Sequence, residues 1–530
     1  MRNKRFLASL VLACALSSAF AAVTRDFPQR ELVVNVSAGM PDWRPHRAYN
    51  ADEAQILTAV CEGLFVYDPL SMDPVPALAE SWTVSKDGLS WTFTVRGDAK
   101  YGNGEPITAQ EIAESWFTLL DPSLSAPYAS LLDCVSGAAA YREGKTSDKR
   151  SVGIVAADKR TLVVKLVSPA EHLPKVLCHH AFSAVHRDGR AEALARTRKA
   201  GFVPVSSGAF VVSKITDGEI LFARNPHYWD AAKVALPSIR VVLSDDPDDL
   251  TARFNRGEIH WLAGSTRVDR ILDRSSILLT PLFATEYFFF RATWGPWADA
   301  RVRNALLAAV PWKELRADYV IPAKTLVFPI SGYPELPGLT EQDVDKAKKL
   351  LAEAGVDNPS ALPVLEIRVP DGAAFAKIAG ILETAWTGLG LSVVVRAIPY
   401  DGYYPTLRED TYAVGITTWI GDFADPLSFL EMFRPGSTLN DSGWNSPEFE
   451  RLILDASNAR DKKERYDRLA KAETLLLEQG LIAPVAHNPA LNVIDTNGLE
   501  GWYSNALDIH PFKFIRFGPK KPLPGVASAK

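Results

Sequence analysis

From position 364 onward the chain sets short β-branched runs against a helical pattern: Val364–Val369, then Ala373–Gly388, then Ser392–Ile398 and Tyr412–Ile416. Strand runs joined through a helix long enough to cross over build a sheet with helices packed on its faces, which buries the apolar side of both patterns. The last run, Tyr412–Ile416, reads as a buried strand leading into Trp419, Ile420, Gly421, Asp422, Phe423, Ala424, Asp425 and Pro426. Asp422 there stands between a glycine and an aromatic, and the nearest basic residues, Arg408 and Arg434, lie outside the segment. A carboxylate in apolar surroundings needs a cation, hydrogen-bond donors or a proton. Two readings stay open: a strand-end turn, with Asp425 preceding Pro426, or an Asp422 whose cation comes from a ligand.

Other segments specify their own local structure. Glu31–Val36 reads as a strand and Ala51–Glu62 as a helix, joined by a polar loop over Gly39–Asn50. Trp82 and Val84, then Trp91, Phe93 and Val95 after a turn at Lys86-Asp87-Gly88, alternate with polar residues as a hairpin with one buried face. Thr108-Ala109-Gln110-Glu111 is a capping box that opens a helix through Leu120, and Leu162–Val167 is a further strand. Together these make 64–185 a small α+β lobe. Gly208–Val212 and Glu219–Arg224 pair as strands, and Ile239–Leu243 leads to the acids at 245, 246, 248 and 249. Acids there serve a helix N-terminus, since the spacing of a calcium loop is absent. Thr285–Arg291 is an aromatic strand, Ala298–Val310 a helix, and a further helix is expected from an N-cap at Thr340 to Gly355. Ser446-Pro447 and Asp461-x-x-Glu464 start two more helices, Leu481–Ala486 is a strand, and Lys513–Phe517 is the last.

A chain of 530 residues exceeds one core, so two or three lobes are expected. The net charge of -5, with no basic block, excludes nucleic acid as a partner. Arg2, Lys4 and Arg5, an apolar run from Phe6 and the small-residue site Ala19-Phe20-Ala21 form a secretory signal over 1–21, so the protein is expected to leave the cytoplasm. Val11-Leu12-Ala13-Cys14 offers an alternative, lipidation at Cys14. Cys61, Cys134 and Cys178 are an odd set that fixes no disulfide pairing. No G-x-S-x-G elbow, H-E-x-x-H pair, Walker loop or G-x-G-x-x-G turn occurs. The adjacent pair His179-His180 is read as pointing to opposite faces of a strand, which disfavours metal ligation. No catalytic residue, metal or cofactor is assigned.

Several motifs in order carry a resemblance: Ala79-Glu80-Ser81-Trp82, Asp87 through Phe93, Asn103 through Ala109, Asp121-Pro122 through Pro127-Tyr128-Ala129, Gly208-Ala209-Phe210, Asn225 through Trp229, Arg256 through Ile259, Val302 through Leu306, Lys349 through Gly355 and the stretch at 419–426. Together they resemble the extracytoplasmic solute-binding proteins of peptide ABC importers. The resemblance implies a periplasmic-binding-protein-like, two-lobed clamshell of α/β (α+β) class with an added small α+β domain. Its first lobe comprises 22–63, 186–283 and 490–530, the added domain 64–185, and the second lobe 284–489. It implies a periplasmic monomer that takes a short peptide in extended form and presents it to inner-membrane permease subunits. Other relatives bind nickel complexes, haem, glutathione or sugars, and an exported peptide-processing enzyme is the competing class. Carried over residue by residue, the resemblance makes Asp422 the carboxylate for the ligand α-ammonium. Trp419, Ile420 and Gly421 become backbone edges, and Tyr128, Tyr287 and Tyr400 cleft aromatics. Relatives place basic residues for the peptide C-terminus near Ile416 and in the helix beginning near Phe375; neither position is basic here, and Arg408 is the substitute.

Overall fold

The structure, a computed structural model, describes residues 31–519 apart from positions 38, 196, 198, 200, 265, 410 and 460. The expected export signal over 1–21, Cys14 and the chain end from 520 lie outside the described residues.

Three larger sheets organise these residues. A seven-stranded sheet runs Ile277–Pro281, Pro489–Ile494, Trp261–Ala263, Glu31–Ser37, Ser238–Leu243, Glu219–Arg224 and Phe210–Ile215 in spatial order. Glu31–Ser37 lies parallel to both its neighbours. A five-stranded sheet runs Val393–Ile398, Leu365–Pro370, Val414–Ile420, Ala284–Phe290 and Ile482–Ala486. Its parallel pairs are the ones that the βαβ pattern from 364 demands, with helix Ala373–Thr387 as the crossover. An antiparallel sheet of four strands, Ala79–Val84, Ser90–Val95, Thr161–Lys165 and Ile154–Ala156, completes the set. Its apolar core is continuous with that beneath the five-stranded sheet.

Two short crossovers join the seven- and five-stranded sheets. Pro281 gives way to Ala284 through residues 282–283, and Ala486 to Pro489 through 487–488. They run side by side, since Pro281 is paired with Pro489 on one side and Glu286 with Ala486 on the other.

Side-chain caps start the helices where the local pattern predicts. Thr108 Oγ1 accepts from the Glu111 N–H at 3.3 Å, Ser446 Oγ from Phe449 N–H at 3.2 Å, and Asp461 Oδ1 from Glu464 N–H at 2.8 Å. Asp246 caps Pro247–Asn255 by accepting from the N–H groups of Asp248 and Asp249, so the acid cluster serves a helix start. Gly355 follows its helix at φ +78°, the left-handed C′ position.

Three expectations need correction. The helix expected from Thr340 is Val344–Glu353, capped by Asp343, a better acceptor for the open N–H groups. Trp82 and Val84 are 38% and 43% exposed, because their strand edges the small sheet and only Trp91, Phe93 and Val95 on the neighbouring strand face its core. The strand expected at Tyr412–Ile416 is Val414–Ile420, because Ala284–Phe290 pairs with it residue for residue through Ala284 and Ile420. Thr417 and Thr418 broke the apolar run but suit a pleated strand.

Replacing Asp461 by Ala is expected to cost about 1 kcal/mol, read as faster hydrogen exchange in the first turn of Lys462–Glu478. Unchanged exchange there would show that the cap is dispensable.

Candidate functional site

The end of Val414–Ile420 opens onto a chamber of about 350 Å³. Trp419, Ile420, Gly421 and Asp422 form one wall, and Tyr128 with His179 faces them. On one edge this strand is paired with Ala284–Phe290; on the other its pairing with Leu365–Pro370 stops at Gly415. Among the described residues, the second edge beyond Gly415 has no neighbouring strand, although the hydroxyl of Tyr403 occupies the N–H and carbonyl of Ile416. The next residue must be small: a Cβ on Gly421 would come within 2.5 Å of the Phe283 ring, while its N–H donates to the Phe283 carbonyl at 2.8 Å. Trp419 is anchored by donation from Nε1 to the Ser428 carbonyl at 2.9 Å.

Asp422 is held by its backbone and left open at its carboxylate. Its N–H donates to Ser428 Oγ at 2.8 Å and its carbonyl accepts from the Tyr67 hydroxyl at 2.7 Å. The side chain is 7% exposed, and Oδ2 is buried without a hydrogen-bond partner. Oδ1 lies 3.6 Å from His179 Nε2, beyond a good hydrogen bond. Burial pushes the carboxyl up to about 8. His179 supplies no charge: burial, then the neighbouring His180, pulls it well below the ordinary imidazole value. Its Nδ1 accepts from the Ala181 N–H at 3.3 Å, so the proton of the neutral ring sits on Nε2, toward Asp422.

Asp425, three residues on, is the contrast. Arg465 donates to both its oxygens, at 2.6 and 2.8 Å, and the Leu427 N–H adds a third bond at 2.9 Å. Burial acts to raise its pKa, but the Arg465 bonds and charge outweigh burial and hold it below the usual range. Asp425 is therefore both a turn residue and half of an ion pair.

The histidine pair is not on a strand, which corrects the sequence reading. His179 caps a short 3-10 turn over His180–Phe182, and the two rings lie 4.0 Å apart on one side, both lining the chamber. Tyr128 packs 4.2 Å from the His179 ring and its hydroxyl donates to the Tyr49 carbonyl at 3.3 Å.

In the lining of the same chamber Glu62 and Lys513 form a buried network. Glu62 accepts from the Tyr228 hydroxyl, from Trp229 Nε1 at 2.6 Å and from Lys513 Nζ at 3.1 Å. Cys61 and Cys178 also line this chamber; they and Cys134 are free thiols, and burial raises all three. Among the described residues no group of three or more His, Cys, Asp or Glu side chains is placed to hold a metal ion.

A second chamber, of about 990 Å³, lies beyond Tyr49, Tyr400 and Tyr404, which line both spaces. Tyr404 meets Tyr49 at 5.5 Å and Tyr400 at 5.8 Å between ring centres. Glu53 fixes the Tyr49 loop by accepting from the N–H groups of Asp42, Tyr49 and Asn50. Arg408 and Asp441 line the second chamber, and burial raises Asp441 to about 6 against the opposing charge of Arg408. The structure thus gathers Asp422, Trp419, Ile420, Gly421, Tyr128 and Tyr400 around the first chamber and puts Arg408 in the second. Tyr287 lines neither: it is buried behind the sheet, its hydroxyl directed at Met432 Sδ, 3.8 Å away. Sequence reasoning missed Tyr49, Glu62, Tyr67, Tyr404 and Lys513, and discounted His179.

Residues 73–441 match the model of a family described as bacterial extracellular solute-binding proteins, family 5 Middle. The oligopeptide-binding protein OppA of Bacillus subtilis is 29% identical over 434 residues, 78% of this chain and 79% of its own. The structure of the Escherichia coli murein tripeptide binding protein MppA superposes with a TM-score of 0.81 at 25% identity, over 93% of this chain and 99% of that one. An unliganded open form of MppA gives a TM-score of 0.64 at 26% identity, over 93% and 98%, so the arrangement of sheets here departs from that open form.

The sign of the Asp422 shift makes a prediction for ligand-free protein. A carboxyl raised from 3.8 to about 8 on burial favours the compact arrangement at low pH, and that contribution is lost as pH rises through this window. Its full size is on the order of 5 kcal/mol. Small-angle scattering from pH 5 to 8 is expected to show wild type opening relative to Asp422→Asn as pH rises; identical profiles would remove the carboxylate from control of the opening.

Proposed function

Because the chain belongs to the family 5 bacterial extracellular solute-binding proteins, whose members bind rather than transform their solutes, we propose that it closes on short peptides outside the cytoplasm and presents them to the permease of an ABC importer. The observation that carries this reading is a buried carboxylate, Asp422, with one oxygen unpartnered, at the end of a strand whose second edge is open. An extended peptide laid along such an edge bonds through its main chain whatever its sequence, and its α-ammonium supplies the cation that Asp422 lacks. Trp419, Ile420 and Gly421 border the peptide's path, and Tyr128 walls it. The likeness to an oligopeptide-binding protein and a murein tripeptide binding protein supports a peptide as the solute. The family's extracellular setting agrees with export to the periplasm through the signal over 1–21.

Lobes drawn from 22–63, 186–283 and 490–530, and from 284–489, with an added domain over 64–185, account for the sheets. Each larger sheet takes its strands from one of these sets, Pro489 alone falling one residue outside. The paired crossovers at 282–283 and 487–488 are the natural axis for closure. Between the added domain and the second lobe, Thr438 Oγ1 donates to the Pro127 carbonyl at 2.6 Å, Tyr67 bonds to Asp422, and His172 stacks on Phe423 at 5.7 Å. A shift from 1:99 to 99:1 in favour of closure takes about 5.5 kcal/mol, and a micromolar ligand supplies about 8.2 kcal/mol.

Calorimetry with pooled short peptides tests the anchor. Asp422→Asn is expected to lose about 3–5 kcal/mol of affinity, and N-acetylated peptides are expected to bind wild type comparably poorly. Equal binding of acetylated and free-amine peptides would rule out the ammonium anchor.

A further inference from the structure

Within the first chamber the charges form a short alternating series. Among its described lining residues, formal charge is carried by Glu62, Asp422 and Lys513. Glu62 is already served by three donors, from Tyr228, Trp229 and Lys513. Lys513 is therefore the one cation lining this chamber; its ammonium lies 5.2, 5.7 and 5.9 Å from the ring centres of Phe514, Tyr228 and Trp229 and hydrogen-bonds to two acceptors. Its ammonium has three N–H donors, of which one goes to Glu62 Oε2 at 3.1 Å and one to the Tyr228 hydroxyl at 3.0 Å. The side chain is 11% exposed, and the space it borders is this chamber.

The tyrosines set the size of what fits. Tyr49, Tyr400 and Tyr404 come from two distant parts of the chain and meet edge to face between the chambers. Arg408 lies beyond them. A ligand confined to the first chamber cannot reach Arg408, yet its carboxylate, once removed from water, still requires a donor.

Resting on the reading of Asp422 as the ammonium anchor, we infer that the first chamber is built for a compact zwitterion, a di- or tripeptide, whose terminal carboxylate accepts the remaining N–H of Lys513. Charge then alternates through the closed site: Glu62, Lys513, the ligand carboxylate, the ligand ammonium and Asp422. The Glu62 network holds the ammonium of Lys513 in place, so little side-chain freedom is lost when the ligand arrives. Lys513 lies in the short 3-10 turn Phe512–Phe514, so that turn enters the binding chemistry directly.

Calorimetry on the purified full-length protein tests this with Ala-Ala, Ala-Leu and Ala-Phe, their C-terminal amides, their N-acetyl forms and hexaalanine. Wild type is expected to prefer the free acids to the amides by about ten- to a hundredfold, the range of a hydrogen bond to a charged group. Lys513→Gln is expected to abolish that preference and Lys513→Arg to restore it, with discrimination against N-acetylation retained throughout. Because Lys513→Gln leaves Glu62 buried without its cation, the Glu62→Gln/Lys513→Gln double variant repeats the measurement without that acid. Amides that bind wild type as tightly as the acids, a preference that survives both variants, or hexaalanine binding as tightly as the dipeptides overturns the inference. Loss of discrimination against N-acetylation in wild type, or no binding of any of these probes, overturns the ammonium anchor instead.

Discussion

A carboxylate with no cation of its own governs this molecule. Asp422 is buried, and the imidazole beside it, His179, is neutral and slightly too far to bond. The backbone around it is held through Ser428, Tyr67 and the contact of Gly421 with Phe283, which fixes the point from which the side chain enters the chamber. Ionised and unmatched, it opposes the compact arrangement by an amount comparable to the free energy needed to switch a two-state clamshell. In the proposed reading, a ligand ammonium removes that opposition. Under the proposed function, closure and recognition are the same electrostatic event.

The fold suits the proposed closure. Two sheets with separate strand sets are joined by crossovers of two residues each, running side by side, so few dihedral angles carry the motion. Tyr128 stands at the start of the 3-10 turn Ala129–Leu132, while the 3-10 turn over His180–Phe182 sets the histidine pair against the acid, and both segments share a core with the five-stranded sheet. The tyrosine partition rests on Glu53 at one side and on the helix Tyr400–Thr406 at the other. It divides one long cleft into a tight charged chamber and a larger one, which separates the question of ligand length from that of ligand charge.

Much of the secondary structure was legible because its signals are local. Thr108, Ser446 and Asp461 announce their helices through bonds to N–H groups three residues away. The βαβ pattern from 364 announces its parallel strands. Where the signal depends on a neighbouring strand, the reading failed in a consistent way. Val414–Ile420 is longer than its apolar run because Ala284–Phe290 pairs with all of it, and Trp82 is exposed because its strand lies at a sheet edge. The histidine pair was misread because a 3-10 turn aligns side chains that a strand would separate.

By itself, then, the sequence determined the α/β class, most of the caps and strands, and the order of motifs that marks the family. Each of these is written in residues a few positions apart. It also singled out Asp422, but not why Asp422 and Asp425 behave differently. That was decided by tertiary structure: Arg465 reaches Asp425 from 40 positions away, while Asp422 receives no such partner. Lys513 meets Glu62 across 451 positions and borders the same chamber. Pairings at such separations leave no periodicity in the chain, because they depend on how the lobes pack and not on how any one segment folds.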